Sequence, residues 1–277
     1  MNTAMIRELR TRTGVGFGDC KKALAEADWD MDRAVEIVRM QSGAKADKKA
    51  DRNASEGLLG LALHGDSGAM VEINVETDFA ARSGKFADFV ERAVSHVLDR
   101  GADGIAGALE GERQALVQEI GENVNVRRAA SLEASGGIIA GYLHQDRKKG
   151  ALVCLDGGDS ALARDIAMHV TAMRPLVVAP EEVPADAVEK ERAIYVEQAA
   201  EEVAKKQQQS KKGMPAEVLE RIADGIVTGR IRKFLAESSL VEQPFVKDAS
   251  TKVGELLSAA GATCTGFERF EVGEGLE

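Results

Sequence analysis

Gly57-Leu58-Leu59-Gly60-Leu61-Ala62-Leu63-His64, followed by Ala69-Met70-Val71-Glu72-Ile73, is echoed by Gly137-Ile138-Ile139-Ala140-Gly141-Tyr142-Leu143-His144, followed by Ala151-Leu152-Val153-Cys154-Leu155. Each stretch reads as a hairpin, and each precedes a helical pattern. In the first half the stripe is Phe86, Phe89, Val90, Ala93, Val94, Val97 and Leu98; in the second it is Leu162, Ile166, Ala167, His169, Val170 and Met173. Apolar residues at i, i+3, i+4 and i+7 line one face of a helix. Two copies of a hairpin and helix make a duplicated unit and not a solenoid, so the expected fold class is α+β.

Working outward, Glu110 to Ile120 reads as a further helix closed by Gly121, and Asn123 to Leu132 as a strand joining the two halves. Upstream, Met5, Ile6 and Leu9, then Cys20, Ala23, Leu24 and Ala27, then Ala34, Val35, Ile37 and Val38 mark three short helices, with Asp30 as N-cap of the third. Residues 1–41 are therefore expected to form a three-helix module and 42–54, rich in Ala, Lys and Asp, an exposed linker, either irregular or partly helical. The core is expected to divide into 55–134 and 135–277. Within the second part, 184–230 carries two narrow apolar stripes, Val188, Tyr195, Ala199 and Val203 against Val218, Leu219, Ile222 and Ile226, with a reversal at Gly213-Met214-Pro215. That pattern predicts an antiparallel helical hairpin. The loop Glu242 to Val246, a helix capped by Ser250 and a strand from Thr263 to Val272 complete the chain.

The alternation Val71, Ile73, Val75 predicts a strand burying one face, with Thr77 next on that face. Phe79 lies beyond the end of this pattern. With Thr77 and Asp78 able to cap the following turn, the ring is either held outward on a rigid corner or tucked under the next helix.

The chain has 277 residues, of which 36 are basic and 46 acidic, giving a net charge of −10. That balance argues against a broad phosphate-binding surface, so no direct nucleic-acid partner is expected. No apolar run approaches the roughly 20 residues that span a bilayer, so no membrane is expected and the cytoplasm is the expected location. Cys20, Cys154 and Cys264 are widely spaced and read as buried small hydrophobes. His64, His96, His144 and His169 lack metal-ligand spacing. Gly84-Lys85 lacks the upstream glycine of a phosphate loop, since that position is Phe79. No G-x-S-x-G elbow occurs. The expectation is a binding protein with no metal, cofactor or enzymatic activity.

Seven segments, in order along the chain, resemble the elongation factor Ts family, exchange factors for the GTPase elongation factor Tu. They are Glu8-Leu9-Arg10-x-Arg12-Thr13-Gly14, Asp19 to Leu24, Thr77-Asp78-Phe79, Ile120-Gly121-Glu122-Asn123 with Arg127-Arg128, Ile166 to Val170, Gln243-Pro244-Phe245-Val246, and Gly266 to Gly275. The resemblance implies a ubiquitin-associated-like N-terminal domain, a two-part core and an inserted coiled-coil hairpin. It also implies that elongation factor Tu, GDP-bound and nucleotide-free, is the partner. Thr77, Asp78, Phe79 and Ala80 are then the centre of the binding site, with Lys21, Ile120, Gly121, His144, Val246 and Lys247 as further contacts. Each has a plainer reading: Ile120 and Val246 as core residues, Lys21 on a solvated helix face, Gly121 as a C-cap, and His144 bonded within its hairpin.

Ala80 stands where the family motif usually has valine, a loss of two methyl groups that would soften the corner by about 1 kcal/mol. The hairpin is Gln-rich at Gln207-Gln208-Gln209. The implied mechanism is exchange by preferential binding to the nucleotide-free GTPase, with Phe79 as lever. A non-catalytic adaptor, with module and hairpin docking different partners, is the alternative.

Overall fold

In the computed structural model, which describes residues 3–209 and 214–276, three helices come first: α1 (Thr3–Thr13), α2 (Phe17–Glu26) and α3 (Met31–Asp47). They bury Ile6, Leu9, Cys20, Ala23, Leu24, Ala34, Ile37 and Val38 in a shared cluster. Asp30 caps α3 by accepting the Arg33 N–H at 2.8 Å. That helix runs beyond the linker boundary expected at residue 41. Ser42 and Ala46 are buried, and their small side chains, one turn apart, let α3 press against a later helix, residues Glu110–Ile120.

β1 (Glu56–His64) and β2 (Ser67–Val75) form an antiparallel hairpin in which Glu56 faces Val75 and His64 faces Ser67. β3 (Val124–Glu133) pairs antiparallel on the other side of β2, which makes β2 the central strand. After β2 come the single turn α4 (Asp78–Ala81), α5 (Gly84–Arg100), α6 (Ile105–Ala108) and α7 (Glu110–Ile120). The stripe on α5 behaves as its spacing predicts: Phe86, Phe89, Val90, Ala93, Val94 and Val97 are buried and the helix lies on β1 and β2. Each large side chain so buried contributes about 1.5–3 kcal/mol. Gly60 makes the close approach possible, because a Cβ there would sit 3.0 Å from atoms of Val71, Val90 and Val94.

β2 departs from the expected one-faced burial. Glu72 and Asn74, on the opposite face from Val71 and Ile73, are also fully buried. A central strand with α5 on one face has its other face covered too, by a cluster of Leu59, Met70, Leu152 and Phe270 with Leu143 and Val272 packed around it. The β2–β3 register shifts at Glu72/Ile73: Arg128 faces Glu72, Val126 faces Ile73, and Arg127 is the extra residue of a bulge.

The second half repeats the hairpin and helix as β4 (Ile138–Leu143), β5 (Lys149–Asp156) and α8 (Ser160–Met173). Ile166, Ala167, His169 and Val170 are buried as expected, whereas Met173, at the helix end, is exposed. The chain forms two units. One runs to Cys154 and adds Asp159–Thr171 and the segment from Phe267; the other consists of Leu155–Gly158 and Ala172–Gly266.

The second unit holds α9 (Ala185–Gln209) and α10 (Ala216–Ser238), which run back against each other around Ala199, Val227 and Ile231. The second arm reaches Ser238, past the expected limit of 230, because Ile231 and Leu235 prolong its apolar stripe. Of the expected reversal, Gly213 lies outside the described residues; Met214 bonds back to Gln207, its N–H reaching Oε1 at 2.9 Å. The strands β6 (Pro244–Phe245) and β7 (Asp248–Lys252) form a small hairpin before α11 (Val253–Ala259). Ser250 does not cap α11. It lies in β7 and donates its hydroxyl to Asp248 at 2.6 Å, while the Glu255 carboxylate accepts the Lys252 N–H at 3.4 Å at the helix start. β8 (Thr263–Glu271) completes a three-stranded sheet in the order β4-β5-β8. Taken together, the fold is mixed α+β with an N-terminal helical region.

Candidate partner-binding site

The site begins where β2 stops. Thr77 keeps an extended backbone and caps α4, its Oγ1 accepting the Ala80 N–H at 3.3 Å. One turn later Ser83 caps α5 by accepting the Phe86 N–H at 3.3 Å. Between these caps the four residues of α4 have little freedom. Ala80 and Ala81 use small side chains to face the core, at 7% and 2% exposure. Phe79 is thereby turned outward and is 81% exposed. An exposed phenylalanine on a fixed corner forgoes about 1.5–3 kcal/mol of burial, an arrangement suited to a partner that covers the ring. Ala80, grouped with the expected contacts, packs inward and supports the corner from behind. Asp78 pairs with Arg82 at 2.9 Å on the surface, a contact of small energetic weight.

A second segment is tied to this corner. α7 ends at Gly121, whose φ of 85° is the left-handed conformation of a helix C-cap and whose N–H reaches Val117 O at 2.9 Å. Ile120 is partly buried against the core around α5, and Gly121 is exposed. The next residue, Glu122, accepts the Thr77 N–H at 2.9 Å on one oxygen and the Thr77 hydroxyl at 2.8 Å on the other. Glu76 in turn accepts the Asn123 N–H at 2.6 Å. The Asn123 side-chain amide donates to Ala50 O at 3.2 Å and Arg52 O at 2.9 Å, and Lys49 donates to Gly121 O. Burial, followed by the neighbouring Arg52, holds the Lys49 ammonium below the usual lysine range.

Thr77, Asp78, Phe79 and Ala80 thus share one locality with Ile120 and Gly121. Lys21 is exposed on α2, opposite the buried Cys20, Ala23 and Leu24. His144 follows β4, and its Nδ1 lies 3.0 Å from Asp146 Oδ1 within the same turn. Burial alone would raise the Asp146 carboxyl, but the Lys148 N–H and His144 outweigh it and hold it low. In the other unit, Val246 and Lys247 occupy the turn between β6 and β7; Phe245 beside them is buried, whereas Val246 is 41% exposed.

Glu76 and Glu122 were beyond the reach of sequence reasoning. They precede Thr77 and follow Gly121 in motifs that draw notice for other residues, and only their spatial pairing reveals a role. Elsewhere, Cys20, Cys154 and Cys264 are buried, and burial pushes the thiols of Cys20 and Cys154 up. Among the described residues no group of three or more His, Cys, Asp or Glu is placed to hold a metal ion, and no helix is long and apolar enough to cross a membrane.

Fold and site together define an α+β protein with an exposed phenylalanine on a braced corner. A family model described as elongation factor TS matches residues 76–274. The chain is 47% identical over 283 residues to elongation factor Ts of Saccharophagus degradans, spanning 100% of this chain and 93% of that protein. It is 46% identical over 285 residues to elongation factor Ts of Alcanivorax borkumensis, spanning 99% and 94%. It is 45% identical over 289 residues to elongation factor Ts of Thioalkalivibrio sulfidiphilus, spanning 100% and 94%. The chain belongs to the elongation factor Ts family of translation elongation factors.

Proposed function

We propose that this protein binds elongation factor Tu and promotes release of its GDP, acting in the cytoplasm and performing no covalent chemistry. The observation that carries the reading is Phe79, 81% exposed on a corner whose two ends are capped. A factor that binds the nucleotide-free GTPase more tightly than the GDP-bound form lowers GDP affinity by the same ratio. Entry of the Phe79 ring into an apolar pocket beside the partner's phosphate and magnesium site would displace side chains that hold the ion, weakening its grip on the diphosphate.

Asp78, Ile120 and Gly121 would flank the ring on the partner, with Thr77 and Ala80 shaping the corner. Lys21 and His144 would add contacts from α2 and the turn after β4, and Val246 and Lys247 from the second unit. The same reading takes α1 to α3 as a ubiquitin-associated-like domain, joined by a linker to a two-part core, with α9 and α10 as an inserted coiled-coil hairpin. The net charge of −10 favours a protein partner over nucleic acid.

The test is the dissociation rate of fluorescent GDP from purified elongation factor Tu, with and without this protein. Acceleration by the parent and its loss in Phe79→Ala are expected. An unaccelerated rate with the parent would leave only a passive adaptor.

A further inference from the structure

A helix of one turn has a ladder of very few bonds, here the Ala81 N–H to Thr77 O and the Arg82 N–H to Asp78 O, each at 3.1 Å, so most of what orients α4 has to come from its surroundings. On its N-terminal side the capping residue is itself held. Both oxygens of Glu122 are engaged by Thr77, one by the N–H at 2.9 Å and one by the hydroxyl at 2.8 Å. The adjacent pair repeats the contact in reverse, since Glu76 accepts the Asn123 N–H at 2.6 Å. Two carboxylates, one from each segment, therefore clasp the end of β2 to the connection between α7 and β3. Charge-assisted bonds to both the backbone and the side chain of one residue fix its orientation more firmly than either alone.

We infer that Glu122 is a positioning residue for Phe79. It sets the direction of the ring by holding Thr77, and it need not itself meet the partner. This inference rests on the proposed exchange function for its consequence, but its structural half is independent of that function. Because Glu122 directly follows Gly121, a partner pressing on Ile120 and Gly121 would bear on the same clasp that aims the ring.

The experiment uses the full chain with Glu122→Ala, Glu122→Gln, Phe79→Ala and the double variant Glu122→Ala with Phe79→Ala. Glutamine retains a carbonyl for the Thr77 N–H and an amide that can donate to the Thr77 hydroxyl. Hydrogen exchange of the amides of residues 77–82 is expected to quicken about tenfold in Glu122→Ala and to be restored in Glu122→Gln. The GDP release rate at saturating protein is expected to fall about tenfold in Glu122→Ala, with half-saturation changing far less, and to recover in Glu122→Gln.

In the Phe79→Ala background, Glu122→Ala should cause no further loss, since the residue acts through the ring. Unchanged exchange at residues 77–82, or losses that multiply in the double variant, would overturn the inference. If Phe79→Ala alone leaves GDP release at the parent rate, the exchange function is what fails, and the amide data still decide whether Glu122 holds the corner.

Discussion

The backbone N–H of Gly273 donates to Glu72 Oε1 at 2.9 Å, joining residues 201 positions apart. The same carboxylate, fully buried, receives Arg127 at 2.9 Å, Arg128 at 2.5 Å and the Asn74 amide at 3.1 Å. Arg128 also lies over the Phe270 ring, 4.4 Å from its centroid, and donates to Glu271 O at 3.0 Å. A buried acid in the middle of β2 thus holds β3 and the end of the chain against one sheet.

This site predicts a pH dependence. Burial alone would raise the Glu72 carboxyl, but the Gly273 N–H, the two guanidinium groups and Asn74 together outweigh it and hold it below the ordinary glutamate range. Its contribution to stability is therefore complete above that range and fades as the pH falls through the depressed folded value. Glu72→Gln should cost about 3 kcal/mol at neutral pH, leaving Arg127 without this counter-charge and Arg128 with the longer contact to Glu274 at 3.6 Å. Urea midpoints of parent and variant should converge on acidification; a gap that stays constant down to about pH 3 would reject the account.

Phe79→Ala should separate function from stability. The ring contributes almost nothing to the folded chain, so the unfolding free energy should stay within about 0.5 kcal/mol of the parent. Loss of a central anchor should weaken binding to nucleotide-free elongation factor Tu by about 2 kcal/mol, measurable by calorimetry. Equal affinities would show that the ring is not the anchor.

Two glycines should fail for different reasons. Gly60→Ala would place a methyl 3.0 Å from Val71, Val90 and Val94, and the crowding should cost about 1–3 kcal/mol. Gly121→Ala meets only Lys49 Nζ at 3.9 Å, so its cost of about 1 kcal/mol comes from the positive φ. Gly121→Asn, tolerant of that conformation, should recover part of the loss in urea unfolding, whereas Gly60→Asn should be worse than alanine.

Trp29 is the sole tryptophan and packs against the cluster of α1 to α3. Asp30→Ala removes the cap on α3 and should lower stability by about 1 kcal/mol. The loss should appear as an earlier unfolding midpoint in Trp29 fluorescence; an unmoved midpoint would show that the cap contributes nothing there.

Local pattern made much of this legible. The α5 stripe, the closure of α7 at Gly121 and the capping by Thr77 and Asp30 each depend on neighbours within a few residues. The exposure of Phe79 stayed open because it turns on Ala80 and Ala81 taking the inward positions, a choice that alternation along β2 does not determine. Residues 42–47 lack large apolar side chains, so the pattern carried no further than a linker with some helix; that alanine and lysine favour helix was legible, and the close helix contact that buries Ser42 and Ala46 was not. The partners of Glu72 and Glu122 lie far away in sequence, and an acidic residue in a strand or after a glycine gives no sign of what it will meet. The helical pair was visible through Tyr195, Ala199 and Ile226, while its second arm was set too short because Leu235 lies beyond the charged Arg230 and Arg232.

The bulge at Arg127 has a consequence for the acid buried in the first sheet. Consecutive strand residues normally point to opposite faces, so two adjacent arginines meet one acid only where an additional residue interrupts the pleat. Deleting residue 127 would make Val126 and Arg128 consecutive, so both ends of β3 would keep their faces, but one of the two guanidinium groups on the buried acid would be lost. The spare amino acid thus serves the buried acid and not the alignment: the strands stay in phase without it, while Glu72 would keep Arg128 and lose Arg127.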